Sequence, residues 1–241
     1  MTEMVRRFLR QKIGSLGTLI ALALLSLLTA FQVAVMGATA ALESGFLALV
    51  ILAAGSVSRD ARSGALQMIL ARPIRRTTYL FGRYAGILSA YAAYLAVTAG
   101  LAVALTAIGR QLSADRGGGA LAAGELARGA AEAFLSGALF AAILLFFSTF
   151  LRGFGDVLAY ILLTLALALP AALSGPLHKP WLAELGAVLR DNVLPRVPWQ
   201  EVLRGESALR PATGQYLLAL AAYLYLAALV FSRREFSYGQ D

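Results

Sequence analysis

The charged residues best placed to recognise a partner lie in one segment, residues 59–76, between two apolar stretches of the chain. Its charged members include Asp60, Arg62, Arg72, Arg75 and Arg76. Leu66 and Leu70 lie one helical turn apart and so share a face of a helix. Arg72 precedes Pro73, a position biased away from helix, so the predicted helix ends there. A basic amphipathic helix of this kind can lie at a membrane surface and dock a soluble partner.

The chain offers few residues for catalysis. It contains no cysteine, which excludes a disulfide or a thiolate metal site, and its single histidine is His178. A lone histidine argues against a Ser–His nucleophile and against a histidine-held metal. The phosphate-binding pattern Gly-x-x-x-x-Gly-Lys-Ser/Thr is absent from the sequence. We therefore expect no catalytic residue, no metal and no cofactor in this chain.

The composition of the chain indicates a membrane protein. Hydrophobic residues make up 59% of the 241 residues and charged residues 14%, against about 25% charged in a typical soluble domain. Backbone groups in lipid must be satisfied within each segment, so the apolar runs are predicted to be helices. We predict one all-α domain, residues 1–241, with six transmembrane helices. They cover residues 16–36, 43–58, 84–109, 132–151, 156–175 and 213–232.

The distribution of Lys and Arg predicts the orientation. With a cytoplasmic N-terminus, the cytoplasmic segments hold thirteen of the 21 Lys and Arg, and the outer segments hold eight. The positive-inside rule then places both termini and residues 59–76 in the cytoplasm. The net charge of +8 is explained by loop topology, so we predict no nucleic-acid partner.

Three further segments lie outside the predicted spans. Residues 1–15 are predicted to form an interfacial helix on anionic lipid, with a plain basic flank as the alternative. Residues 110–131 contain three consecutive glycines and are predicted to be a flexible outer loop. Residues 176–212 are predicted to hold a short outer helix, with Trp181 and Trp199 at headgroup level. The alternative for this last segment is a lid over a translocation path.

Ionisable residues inside the predicted spans are few. Glu43, Glu132 and Asp156 lie near span ends, where solvation is cheap, so we expect no proton relay and no ion pathway. Close helix packing is predicted at three small residues, Gly82, Gly86 and Gly137. The first two form a Gly-x-x-x-Gly pair.

The basic segment and the residues after it resemble a family signature. In order, the matching residues are Asp60, Gly64, Leu66, Leu70, Arg72-Pro73-Ile74-Arg75-Arg76 and Tyr79-Leu80-Phe81-Gly82-Arg83. This resembles the ABC-2 type transporter permease family, with its acid, glycine, leucine-rich turn, Arg-Pro, basic pair and aromatic-Leu-x-Gly-Lys/Arg. Departures are Asp60 where Glu is usual, Ala65 where Thr is common and Arg83 where Lys is common.

The resemblance implies a permease of the bacterial inner membrane whose segment between spans two and three is a cytoplasmic coupling helix. It implies that the following residues dock a separate ATPase: Asp60, Arg62, Gly64, Leu66, Leu70, Arg72, Pro73, Arg75 and Arg76. The partners would be a dimer of ATPase subunits, which binds ATP and Mg²⁺, and a second permease copy or a homologue. The function implied is ATP-driven export of a substrate.

Two other functions remain open at this point. One is a non-transporting membrane anchor that relays the motion of an ATPase to a periplasmic partner through residues 176–212. The other is a secondary transporter or channel, which the scarcity of charges within the spans disfavours.

Overall fold

The structure, a computed structural model, describes residues 5, 6, 8, 10, 15–36, 45–57, 60, 75–112, 123–151, 154–195, 197–205 and 211–233. Within these ranges the chain is helical and contains no strand. The helices are α1 (Leu16–Met36), α2 (Phe46–Ala53), α3 (Arg76–Leu112), α4 (Ala123–Ser148), α5 (Gly155–Ser174), α6 (Pro180–Val193), α7 (Trp199–Leu203) and α8 (Pro211–Arg233).

Five helices, α1, α3, α4, α5 and α8, are long and apolar enough to cross a membrane. Their outward faces carry large apolar side chains such as Leu24, Leu162 and Leu218, each more than half exposed. Such faces suit lipid rather than water. The all-helical, multi-pass character predicted from the sequence is confirmed by these helices.

The bounds of these helices follow the apolar runs. Helix α1 has the limits predicted for the first span, and α5 and α8 begin and end within two residues of theirs. Helix α3 begins eight residues before the predicted third span, at Arg76. Proline opens both α6 and α8, at Pro180 and Pro211, where its missing N–H costs the helix nothing.

Helix α3 lies at the centre and packs against α1, α2, α4 and α8. The core between these helices is apolar and includes Leu49, Ile87 and Leu144, each at most 1% exposed. Hydroxyl groups join α1 to α3, with Ser26 Oγ 2.9 Å from Thr98 Oγ1. In lipid such interhelical hydrogen bonds supplement close packing.

Two ends of the bundle can be defined by their residues. At the Asp60 end, α3 begins and α8 ends, and Arg76 Nη1 donates to the Ser232 carbonyl over 2.9 Å. The α4–α5 turn is also at this end, because Asp156 contacts the backbone that leads to Asp60. The opposite end, the His178 end, holds the turn between α5 and α6, where His178 adopts a positive φ of 52°.

The second predicted span is not among the five long helices. In the described residues of this stretch, 45–57, the eight-residue α2 is followed by a turn at Ala54 and Gly55, and Ser56 and Val57 resume helical geometry. Six spans are therefore not confirmed within the described residues. The predicted outer loop 110–131 is also shorter than expected, because α3 extends to Leu112 and α4 begins at Ala123.

Candidate functional site

Three residues of the family-like pattern meet in a buried cluster at the Asp60 end. Asp60 is 1% exposed and forms an ion pair with Arg83, which is 7% exposed. The hydroxyl of Tyr79 donates to Asp60 Oδ2 over 2.6 Å, and Arg83 Nε donates to the same hydroxyl over 3.2 Å. Tyr79 and Arg83 lie one turn apart on α3, so a single helix face presents both to Asp60.

Aromatic rings cover this polar cluster. The guanidinium carbon of Arg83 lies 5.2 Å from the ring centroid of Phe8 and 5.6 Å from that of Tyr79. Both rings are within cation–π distance. The ring of Tyr79 also stacks on Phe231 of α8, with 5.6 Å between centroids. The ion pair is thus desolvated and held between the N-terminal segment, α3 and α8.

A second polar contact fixes the break after α2. Gly55 has φ 63°, a left-handed conformation that glycine adopts without the steric penalty of a Cβ. Its N–H donates to Asp156 Oδ2 over 2.7 Å, and the N–H of Val57 donates to Ser148 Oγ over 3.1 Å. These side chains replace helical acceptors lost at the break, which would otherwise leave buried N–H groups unpaired.

Asp156 is placed for this role by the start of α5. It is 1% exposed and also accepts from the N–H of Val157 over 2.9 Å, a contact with the first turn of its own helix. A carboxylate in the first turn is favoured by the helix dipole. The expectation that Asp156 is solvated at a span end is wrong, because the backbone of Gly55 covers it.

These contacts attach the segment after α2 to the rest of the bundle. The ion pair and Tyr79 bind Asp60 to α3, while Asp156 and Ser148 bind the preceding backbone to the α4–α5 turn. A displacement at Asp60 would therefore act on three long helices at once.

The structure describes only part of the predicted docking segment. Asp60, Arg75 and Arg76 are described, and the last two are exposed. Six of the predicted docking residues, Arg62, Gly64, Leu66, Leu70, Arg72 and Pro73, lie outside the described residues. Asp60 is buried and paired with Arg83.

The glycines predicted to allow close packing lie in crowded positions. A Cβ on Gly86 would lie 2.8 Å from the Phe8 ring, and one on Gly137 would lie 2.5 Å from the Tyr91 ring. Gly82 is buried on the same helix as Gly86. The close approach at Gly86 brings the N-terminal segment against α3, and the close approach at Gly137 brings α4 against α3.

The described part of the chain contains no group of three His, Asp or Glu residues that could hold a metal ion. Comparison of the chain with protein-family models and with curated proteins gives no match. Function is therefore inferred from the residues and their geometry.

Proposed function

We propose that this chain is the permease subunit of an ABC transporter, which couples ATP hydrolysis in a separate ATPase to export of a substrate. The five long apolar helices support a membrane-embedded role. The observation that carries the proposal is the cluster of Asp60, Tyr79 and Arg83. These are the acid, the aromatic residue and the terminal cation of the permease-like pattern, and they contact one another in the folded chain.

The cluster is suited to coupling because it attaches the beginning and the end of the segment between α2 and α3 to the helix bundle. Asp60 opens this segment and Arg83 follows its close. When ATP brings the two ATPase subunits together, the segment docked on each subunit moves with it. The buried ion pair and the Asp156 contact then pass this motion to α3, α4 and α5 instead of letting the segment bend alone. The ATPase thereby shifts an existing equilibrium between permease conformations.

The proposed mechanism assigns recognition and anchoring to different residues. Leu66, Leu70 and the arginines from Arg72 to Arg76 contact the ATPase, and Asp60 and Arg83 hold the segment to the membrane helices. The ATPase partner supplies the nucleotide site with its Mg²⁺. Because ABC ATPases act as pairs, two permease copies or two homologues complete the transporter.

The experiment that tests the proposal is purification of the tagged chain from its native host in mild detergent, with mass spectrometry of the co-eluting proteins. A soluble P-loop ATPase at one-to-one stoichiometry is the expected result. An intact permease dimer without any ATPase would contradict the proposal and favour the channel reading. An ATPase retained only through a periplasmic protein bound to residues 176–212 would favour the membrane anchor.

A variant pair tests the docking surface in the same preparation. Leu66→Asp with Leu70→Asp should abolish ATPase co-purification and ATPase stimulation while membrane insertion is retained, because charge replaces the apolar face that docks. Gly64→Trp should act in the same way. Arg128→Gln, a change near the start of α4 at the His178 end, is the matched control and should leave co-purification unchanged. Normal complex formation by the leucine variants would overturn the assignment.

A further inference from the structure

The segment predicted to lie outside the membrane turns back into the bundle. Helix α6 packs along α5, where a Cβ on Gly186 would lie 3.0 Å from the backbone nitrogen of Ala171. The carbonyl of Val193, at the end of α6, accepts a hydrogen bond from Tyr223 over 3.2 Å. Tyr223 lies twelve residues into α8, about 18 Å from its start at 1.5 Å per residue. Helices α5 and α6 therefore form a re-entrant hairpin.

Trp199, which is predicted to lie at headgroup level, is buried against the protein. It is 7% exposed, and its ring meets that of Tyr216 edge-on with 5.0 Å between centroids. Trp181, at the start of α6, is 56% exposed. The two tryptophans thus occupy different environments.

The hairpin encloses a cavity of about 420 Å³ against α4 and α5. Its lining includes Tyr160 and Ala168 of α5, which lie fourteen and six residues before the end of that helix at Ser174. The cavity thus lies between about 9 and 21 Å below the helix end. That depth falls within the hydrocarbon core of a bilayer about 30 Å thick.

Arg190 of α6 lines this cavity. Its Nε is buried, and no described atom accepts a hydrogen bond from it. The carboxylate of Asp191 forms an ion pair with it at 3.6 Å, beyond hydrogen-bond distance, and the two side chains are 40% and 54% exposed. An arginine at membrane depth is costly to insert, so such a residue ordinarily serves a function. Nε has no hydrogen-bond acceptor among the described residues, and its ion pair with Asp191 leaves that donor open toward the cavity.

The rest of the wall is suited to an alkyl chain. Most of the lining is apolar: Leu139, Phe140, Ile143, Leu167, Leu194 and Pro195. Hydroxyl groups of Ser136, Tyr160 and Thr164 add a few polar positions. A pocket that is mainly apolar with one cation favours a ligand that has both an apolar body and an anionic head.

We propose that this cavity is a binding site for an amphiphilic anion, an oxyanion head carried on an alkyl chain, with Arg190 pairing with the head. A carboxylate or phosphate accepts charge-assisted hydrogen bonds from guanidinium in a planar, bidentate geometry. The alkyl chain lies against the apolar wall, where it replaces lipid contacts. This site needs no ATPase partner, so it stands independently of the transport function proposed above.

Trp199 provides a reporter for the site. It packs in one cluster with Leu139, Ile143 and Leu194, three residues of the cavity wall. The chain has two tryptophans, so Trp181→Phe leaves Trp199 as the single emitter. The full chain with this change is purified in mild detergent and titrated with dibrominated stearate, whose bromines quench indole fluorescence at short range.

Three brominated probes distinguish the charge of the ligand's head group from the kind of molecule that carries it. Dibrominated stearate carries a carboxylate, its methyl ester is neutral, and brominated phosphatidic acid carries a lipid phosphate. We expect saturable quenching by stearate, by phosphatidic acid or by both, and no saturable quenching by the ester. Quenching by stearate alone assigns the site to a free alkyl anion, and quenching by phosphatidic acid alone assigns it to a membrane lipid. Equal quenching by the ester overturns the proposal.

Variants assign the binding to Arg190. Arg190→Gln should raise the Kd at least about tenfold, the loss expected for a charge-assisted hydrogen bond, and Arg190→Lys should recover part of it. Arg204→Gln, an exposed change at the end of α7, is the control and should leave the Kd unchanged. Ala168→Phe fills the cavity with Arg190 retained and should abolish saturable quenching. Unchanged affinity in both Arg190→Gln and Ala168→Phe would overturn the proposal.

Discussion

Neutralising one side of the Asp60–Arg83 pair tests how the segment after α2 is held to the bundle. Asp60→Asn keeps the size of the side chain and an oxygen that can accept from Tyr79. Arg83→Met keeps an apolar stem that can pack against Phe8 and Tyr79. Each change therefore removes charge with little change in volume.

The magnitude follows from burial. Asp60 and Arg83 expose 1% and 8% of their side chains, so solvent cannot replace a missing partner. Removing one partner of a buried pair costs about 3–5 kcal/mol, because the other charge stays buried and uncompensated. We expect each single change to lie near the lower bound, about 3 kcal/mol, because Tyr79 still bonds to the remaining group.

The double variant carries the decisive information. With both charges removed, no buried charge is left unpaired, and a neutral replacement of a buried ion pair is often close to neutral in stability. The free energy of unfolding of the double variant should therefore fall by less than the sum of the single effects, with a coupling of at least about 2 kcal/mol.

The assay is reversible unfolding in mixed micelles of mild detergent and dodecyl sulfate, followed by tryptophan fluorescence. Arg128→Gln, a change at a partly exposed residue near the start of α4, is the control and should lie within about 0.5 kcal/mol of the parent. Additivity of the two single effects within about 0.5 kcal/mol would refute the direct coupling of Asp60 to Arg83.

Three further changes test other contacts by the same unfolding assay. Gly137→Ala should destabilise by about 1–3 kcal/mol, because its Cβ would lie 2.5 Å from the Tyr91 ring and the core would have to shift. Gly100→Ala, with nothing within 4 Å of the new Cβ, should be neutral or stabilising by up to about 1 kcal/mol, and destabilisation equal to that of Gly137→Ala would contradict the packing explanation. Asp156→Ala should cost about 1–3 kcal/mol by leaving the buried N–H of Gly55 unpaired, whereas an unchanged midpoint would show that this contact is dispensable.

The long membrane helices could be predicted from sequence because the signal is local. A continuous apolar run specifies α1 from Leu16 to Met36 with no knowledge of its neighbours. Helix α3 extends beyond its predicted start because Arg83, which looks like a polar boundary, is paired inside the bundle. A hydropathy pattern treats that arginine as exposed and begins the span too late in the chain.

The break after α2 could not be predicted because its cause lies far away in sequence. Asp156 contacts Gly55 across 101 positions. An aspartate near a span end and a glycine in an apolar run are both ordinary features when they are considered separately. Only the folded chain shows that one supplies the acceptor that the other needs.

The position of Arg190 in the cavity wall also could not be predicted from the sequence. Orientation rules assign every charge between two spans to the water on one side, and this places residues 176–212 outside. These rules do not allow for a helix that turns back into the bundle, although one residue of the sequence is consistent with such a turn. Gly186 lies in the middle of an amphipathic helix, where an interfacial segment has no need of a glycine. In the structure this glycine allows α6 to approach the backbone of α5 near Ala171, and that approach places Arg190 in the wall of the cavity with Tyr160 and Ala168.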